Sequence, residues 1–252
     1  MHTHPTPTVL ITGATDGIGL ALARSYQARG ARLVLVGRRP RAALDQALFT
    51  PERYCQVDLT QADCADVVTH FLDEQAIAEL SLLIHNAGVG YYGSVEQQPP
   101  ENISELVTVN LRAPIALTHA LLPRLRAARG KLVFISSVAA GLPVSEYAVY
   151  GATKAALDGF ARSLRIELRD AVAVQVIHPG ATRTSMHTKS GVPSGALKWE
   201  RFPSPETTAE RIAQAIAGSR SSVTIGAVNR LLRFGGYYVP GIVHWFASRM
   251  RD

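Results

Sequence analysis

Seven short runs of aliphatic and β-branched residues alternate with longer stretches of helical periodicity, and that alternation leaves few folds open. The runs are Val9–Gly13, Arg32–Gly37, Tyr54–Leu59, Leu80–Gly88, Lys131–Ser137, Val172–Gly180 and Ser222–Gly226. Several are apolar at successive positions rather than at every second one, the pattern of strands buried on both faces. The helical stretches between them are Gly17–Arg29, Gln61–Glu79, Glu101–Ala128, Ala148–Arg169 and Thr207–Ala217. Alternation of this kind predicts an α/β fold with a doubly wound parallel sheet and helices on both faces.

Composition agrees with a globular chain: of 252 residues, 47% are hydrophobic and 18% charged, and no Pro/Gly/Ser-rich linker divides them. A single domain over residues 1–252 is expected. The net charge of +6 draws attention to anionic partners, but no nucleic-acid-binding motif accompanies the arginines, so nucleic acid is not expected as a ligand. Cys55 and Cys64 read as reduced core residues. The start, "MHTHPTP", lacks the apolar stretch of a secretory signal, and no run reaches the length of a membrane span, which predicts a cytoplasmic protein. The eight histidines show no metal-ligand spacing, so no metal is expected.

"TGATDGIG", Thr12 to Gly19, follows the first strand and opens the first helix. A strand, a glycine-rich turn and a helix N-terminus bring bare backbone N–H groups together, the arrangement that holds a pyrophosphate. The spacing is G-x-x-x-G-x-G rather than the usual dinucleotide G-x-G-x-x-G, so this stretch alone leaves an unliganded tight turn open.

In "AVYGATKAAL", Tyr150 and Lys154 lie four apart and project from one helix face. A phenol titrates near 10 and is a poor acid or base at neutral pH, but an ammonium beside it favours the phenolate. Such a pair can pass a proton to or from a carbonyl/hydroxyl couple. Alone, the spacing favours a core tyrosine and an exposed lysine with no chemistry between them.

Taken together, "TGATDGIG", "HNAG" (His85 to Gly88), "VNLRAP" (Val109 to Pro114), "FISS" (Phe134 to Ser137), the Tyr150/Lys154 pair and "PGATRT" (Pro179 to Thr184) resemble the single-domain branch of the short-chain dehydrogenase/reductase family, from about Val9 to Gly226. The resemblance implies a Rossmann-like sheet of seven parallel strands with a nicotinamide cofactor along its C-terminal edge. It implies Tyr150 as general acid or base, Lys154 binding the nicotinamide ribose and lowering the phenol pKa, Ser137 holding the substrate oxygen, and Asn110 helping to hold a water linked to the lysine. It also implies cofactor contacts from Gly13, Thr15, Asp16, Gly17, Ile18 and Gly19; from Asp58 and Leu59; from Asn86, Ala87 and Gly88; and from Pro179, Gly180, Thr182 and Thr184. Ser136 and Tyr147 are set aside on spacing, and His85 reads as a buried strand residue.

Cofactor choice rests on "LVLVGRR". A ribose 2′-hydroxyl is held by a carboxylate at the end of the second strand, whereas a 2′-phosphate needs that carboxylate absent and a cation present. Gly37 stands at the acidic position and Arg38 and Arg39 follow it, which favours NADP (NADPH) over NAD. Asp16 runs against this, since some NADP-preferring relatives carry a basic residue there.

The segment 183–206 reads as a substrate lid loop, with Met186, Leu197, Trp199 and Phe202 as an apolar lining. A moderately hydrophobic carbonyl or alcohol substrate is expected. The basic, aromatic tail, residues 229–252, leaves open a peripheral membrane contact, a subunit contact or a cap on the substrate cleft, with protein contact favoured. Family members form homodimers or homotetramers, which the resemblance carries over. The expected activity is NADPH-dependent carbonyl reduction or its reverse. A non-catalytic NADP-sensing protein would be expected to lack Tyr150 or Lys154, and a membrane-surface scaffold would need only the tail.

Overall fold

The computed structural model describes residues 6–193, 195, 198–238 and 241. Its strands are β1 (Thr8–Thr12), β2 (Arg32–Gly37), β3 (Tyr54–Gln56), β4 (Leu82–His85), β5 (Lys131–Ile135), β6 (Ala173–His178) and β7 (Ser222–Thr224). Its helices are α1 (Gly17–Ala28), α2 (Cys64–Glu74), α3 (Pro100–Val107), α4 (Ala113–Ala127), α5 (Ala148–Leu168), α6 (Ser185–Lys189), α7 (Pro205–Ala217) and α8 (Ala227–Tyr238). All seven strands pair in parallel, in the order β3-β2-β1-β4-β5-β6-β7. This is the doubly wound parallel sheet that the alternation of runs predicts, with the seven strands of the Rossmann-like form that the resemblance implies.

Successive strand residues point to opposite faces, so the unbroken apolar runs feed two cores at once. On one face Leu10, Val34, Leu83, Phe134 and Val176 pack with Val68 of α2, Leu117 and Leu121 of α4, and Leu157 and Ala161 of α5. On the other, Ile11, Leu35, Ile84, Val133 and Ile177 pack with Leu22 of α1 and Ile212 of α7. Each such side chain contributes about 1.5–3 kcal/mol by leaving water. The two cysteines are free and buried.

The strands are shorter than the apolar runs, because the residues past His85 and past Gln56 leave the ladder and form the loops of the site. A larger difference lies in the stretch read as one helix over Glu101–Ala128. It consists of α3, a π turn over Thr108–Arg112 and α4. Pro114 explains the break: it has no N–H for the Asn110 carbonyl, and its ring crowds that oxygen. The chain widens instead, and the Ala113 N–H bonds to Thr108 O, five residues back.

Candidate active site

Parallel strands end on one edge, and the order reverses between β1 and β4, where a crevice opens. The turns leaving β1 to β6 carry Gly13, Gly37, Asp58, Asn86, Ser137 and Pro179 respectively, so residues scattered from 13 to 184 meet along that edge.

The glycine-rich turn is held closed by its own geometry. A Cβ at Gly19 would lie 2.1 Å from Gly13 O and 2.4 Å from Asn86 Nδ2, and Gly13, at φ +66°, would meet Ala87 Cα at 2.7 Å. Only glycine allows this approach of turn, helix and β4 loop. Asn86 donates to Thr12 O (2.9 Å) and Gly13 O (3.3 Å), while Thr12 Oγ1 accepts from the Asn86 and Ala87 N–H groups. Asn86 and Ala87 thus fasten the cleft floor to β1, a task in which Thr12 is the partner the sequence reading missed. Ile18, in the first turn of α1, packs partly against the core.

Asp16 caps α1, accepting from Gly17 N at 2.8 Å. Its other oxygen takes hydrogen bonds from Lys189 Nζ (2.7 Å) and Ser185 Oγ, both on α6. Burial pushes this carboxyl's pKa up, but those bonds, the Lys189 charge and the Gly17 N–H leave it below the ordinary value. A cation absent from the turn itself is therefore brought to Asp16 by Lys189 of α6. Thr184 leads into α6 with its methyl against Gly17, and Thr182 bonds to Thr208 Oγ1 at 3.2 Å. Pro179 O accepts from Val138 N at 3.1 Å, and a Cβ at Gly180 would meet Asn229 of α8.

At the end of β2, a Cβ at Gly37 would come within 2.7 Å of the Thr15 methyl and 3.3 Å of Tyr54 Oη. An acidic side chain at that position would have to displace Thr15. Arg38 is exposed, 3.5 Å from Glu105 and 4.0 Å from Asp58, and Arg39 reaches Thr15 O and Ala43 O at 3.4 Å each. Asp58 also accepts from Thr60 N at 2.9 Å, whereas the Leu59 side chain is buried in the core.

Tyr150 and Lys154 lie on α5, both buried. Lys154 Nζ donates to Ile135 O at 3.1 Å and stands 5.7 Å from the centre of the Tyr150 ring. Ser137, at the turn after β5, hydrogen-bonds the phenol and also accepts from Ala139 N at 3.1 Å. Ser136 points the other way, its Oγ 3.4 Å from Lys154 O, as expected from strand alternation. Tyr147, exposed in part, lies edge-on to Tyr150 with ring centres 5.8 Å apart.

One expectation is reversed. Burial raises the Tyr150 pKa, with the Ser137 hydrogen bond opposing it, and burial drives Lys154 down to about 8. The ammonium sits over the ring and faces a main-chain carbonyl rather than the phenol oxygen, so the cost of burying charge outweighs the acidification expected of the pair.

Asn110 is wholly buried in the π turn. Its side chain accepts from Val89 N and donates to Val89 O, both at 2.9 Å, and donates to Thr153 Oγ1 at 3.1 Å. The side chain therefore pins the β4 loop to α5. A Cβ at Gly88 would sit 3.4 Å from both Asn110 Oδ1 and Lys154 Nζ, so the missing side chain leaves open backbone beside the lysine. The donor set fits a dinucleotide: the first turn of α1, exposed guanidinium groups at the end of β2, and an ammonium that spends one of its three N–H donors on Ile135 O.

His85 is a buried strand residue, bonded to Thr118 Oγ1 at 3.0 Å and stacked on Phe134. The segment 183–206, read from the sequence as a lid, contains α6 and a 3₁₀ turn at Trp199–Arg201, with Trp199 between His187 and Phe202. Leu197 lies outside the described residues. Of the tail, α8 packs so closely on the turn after Ser137 that a Cβ at Gly236 would meet Gly141 O at 2.1 Å; most of residues 239–252 lie outside the described residues. Among the described residues no helix is long and apolar enough to cross a membrane.

A model of the short chain dehydrogenase family matches residues 7–193. Dehydrogenase/reductase SDR family member 7B of Bos taurus is 34% identical over 202 residues, 75% of this chain and 62% of the relative, so the chain spans less than two thirds of that protein's length. A short-chain dehydrogenase from Sphingobium yanoikuyae, solved in complex with NADPH, superposes with a TM-score of 0.79 at 29% identity, over 98% of this chain and 95% of that one. A 3-ketoacyl-(acyl-carrier-protein) reductase from Brucella melitensis, solved with NADH, superposes with a TM-score of 0.74 at 25% identity, over 87% and 96%.

Proposed function

The chain belongs to the short-chain dehydrogenase family of NAD(P)-dependent oxidoreductases, and from that premise we propose that it reduces a carbonyl compound with NADPH, or oxidises the matching secondary alcohol with NADP. The observation that carries this reading is the meeting of three side chains from two elements: Ser137 bonded to the Tyr150 phenol, and Lys154 over the same ring.

The nicotinamide, when bound, supplies or accepts the hydride. Lys154 offers its remaining N–H donors to ribose hydroxyls and fixes the edge of the site next to Gly88. Ser137 orients the substrate oxygen toward Tyr150, whose hydroxyl gives up its proton as that oxygen gains charge and recovers it in the reverse direction. Asn110 holds the β4 loop against α5, so the distance between cleft floor and lysine stays fixed. NADP over NAD is supported by the Thr15 methyl, which crowds any carboxylate at position 37, and by Arg38 and Arg39 beyond it.

Tyr92, Tyr147, Trp199 and Phe202 give the lid side of the cleft an aromatic character, in keeping with a moderately hydrophobic substrate. A homodimer or homotetramer belongs to the same proposal. The test follows NADPH and NADH absorbance separately with a panel of ketones, with Tyr150→Phe as control. Turnover with NADPH that falls by about 10²-fold or more in the variant is expected; preference for NADH would overturn the cofactor reading, and undiminished activity in Tyr150→Phe would remove the tyrosine from its role.

A further inference from the structure

Four elements converge on one carboxylate that the chemistry above does not use. Asp158 lies on α5 one turn beyond Lys154 and is almost fully buried. Its Oδ2 accepts from His178 Nε2 of β6 at 2.8 Å and from Arg233 NH2 of α8 at 3.0 Å, and the Ser136 hydroxyl, next to Ser137, supports it from the end of β5.

A buried carboxylate bonded to His178 of β6 and Arg233 of α8 holds those elements against α5, because removing the guanidinium takes away part of what compensates its charge. Arg233 is the link to the tail: its guanidinium packs over Tyr237 at 5.5 Å, and Tyr237 and Gly236 press on Gly141 and Leu142, just past Ser137. The C-terminal helix is thereby fastened to the turn that carries Ser137 and to the helix that carries Tyr150 and Lys154.

The titratable and charged groups around Lys154 come from three elements. On α5 they are Tyr150, Asp158 and, at its N-terminal edge, Tyr147. From β6 comes His178 and from α8 Arg233, while β5, the β4 loop and the π turn offer neutral groups: the Ile135 carbonyl, the serines, Gly88 and Asn110. Asp158 is therefore the one carboxylate among these groups, paired directly with Arg233 and set one helical turn from Lys154 on the same face of α5.

Resting on the proposed carbonyl chemistry, we propose that Asp158 is a positioning residue for that reaction: held by His178 and Arg233, its carboxylate is the counter-charge of the Lys154 ammonium and ties the C-terminal helix to the catalytic one. The direction of its electrostatic effect agrees, since Asp158 favours the charged lysine against the burial that disfavours it. A consequence separates this role from mere structural support. Removing Asp158 and removing Arg233 act on the Lys154 proton in opposite senses, the first taking away its counter-charge and the second freeing that counter-charge from a competitor.

The experiment measures the ¹³Cε shift of Lys154 against pH, assigned by its loss in Lys154→Met, beside the pH profile of kcat/KM for ketone reduction. Wild type, Asp158→Asn, Arg233→Gln and Arg233→Lys are compared. Asp158→Asn is expected to lower the Lys154 midpoint by about one pH unit and Arg233→Gln to raise it, with Arg233→Lys close to wild type and the alkaline limb of the rate profile following each shift. Should Asp158→Asn fail to fold, the two Arg233 variants still give the sign. Shifts in the same direction, or none, overturn the proposal, and so does a lysine titration that moves while the rate profile stays put. A wild-type protein that titrates as expected but turns over no ketone overturns the functional reading instead, and with it the positioning role, leaving a structural ion pair.

Discussion

Replacing Lys154 by methionine should make the cofactor-free protein more stable while destroying its turnover. The ammonium is buried, and its pKa falls from 10.5 to about 8. At 1.36 kcal/mol for each pH unit, that fall corresponds to about 3 kcal/mol by which the folded state is disfavoured at neutral pH. Methionine has a similar length and no charge. It forfeits the bond to Ile135 O, worth about 1 kcal/mol, so a net gain of about 2 kcal/mol is expected, or roughly 4–8 °C in Tm for a chain of this size. The sign with pH is specific. Because the folded value lies below the unfolded one, the unfolded chain binds the proton more tightly and wild-type stability rises between about pH 8 and 10.5. The variant lacks that rise, so its advantage is full below pH 8 and gone by about pH 10.5. Urea unfolding of both proteins at pH 7 and pH 10 measures it, other titrating groups cancelling in the difference. A variant less stable than wild type at pH 7, or an advantage that persists at pH 10, would refute the claim that charge burial dominates this site.

Glycine substitutions should divide by what a Cβ would meet: Gly19→Ala, 2.1 Å from Gly13 O, should cost about 1–3 kcal/mol and weaken cofactor binding in a fluorescence titration. Gly159→Ala, in α5 with open space around it, should instead add up to about 1 kcal/mol. Burial lowers the His85 pKa to about 3, so the unfolded chain takes up this proton first and wild-type stability falls as pH drops from about 6.5 toward 3. His85→Leu should flatten that part of the acid-unfolding curve, and an unchanged curve would show that the ring is not desolvated. Because burial keeps the phenol protonated, alcohol oxidation should climb with pH above neutrality while ketone reduction holds across the neutral range; parallel profiles in initial-rate assays would contradict this.

How much of this could be read in the sequence depends on the distance over which each constraint acts. The sheet was legible because a strand covered on both faces has to be apolar throughout, and runs such as Val9–Ile11 and Leu132–Ile135 satisfy this locally. The turn at Gly13, Gly17 and Gly19 was legible because only glycine tolerates its close approaches. The break in the long helix had a local signal as well, in Pro114, which removes one N–H and crowds the Asn110 carbonyl; helical periodicity on either side of it masked that signal. The bond from Lys189 to Asp16 spans 173 positions and that from Arg233 to Asp158 spans 75, and nothing near any of these residues marks it for its partner. The same holds for Thr12, whose hydroxyl reads as an ordinary strand residue until β4 is laid beside it.

The Tyr150 and Lys154 values also bear on what the spacing of four implied. Spacing brings two side chains to one helix face, and from that alone an ammonium should acidify a phenol. The packing that brings them together also removes water from both, and desolvation favours the neutral form of each: it moves the phenol up and the ammonium down. With the lysine lowered to about 8 and the tyrosine pushed up by burial, both shifts favour the neutral pair over a phenolate beside an ammonium. A phenol in that state is populated in the protonated form that reduction starts from, though as a weaker acid than a free phenol, and oxidation of an alcohol has to wait for its deprotonation. For the proposed reaction, the bare protein therefore rests in the protonation state that reduction starts from, and any charge that supports Lys154, Asp158 first among them, shifts how far into the alkaline range the site keeps its ammonium.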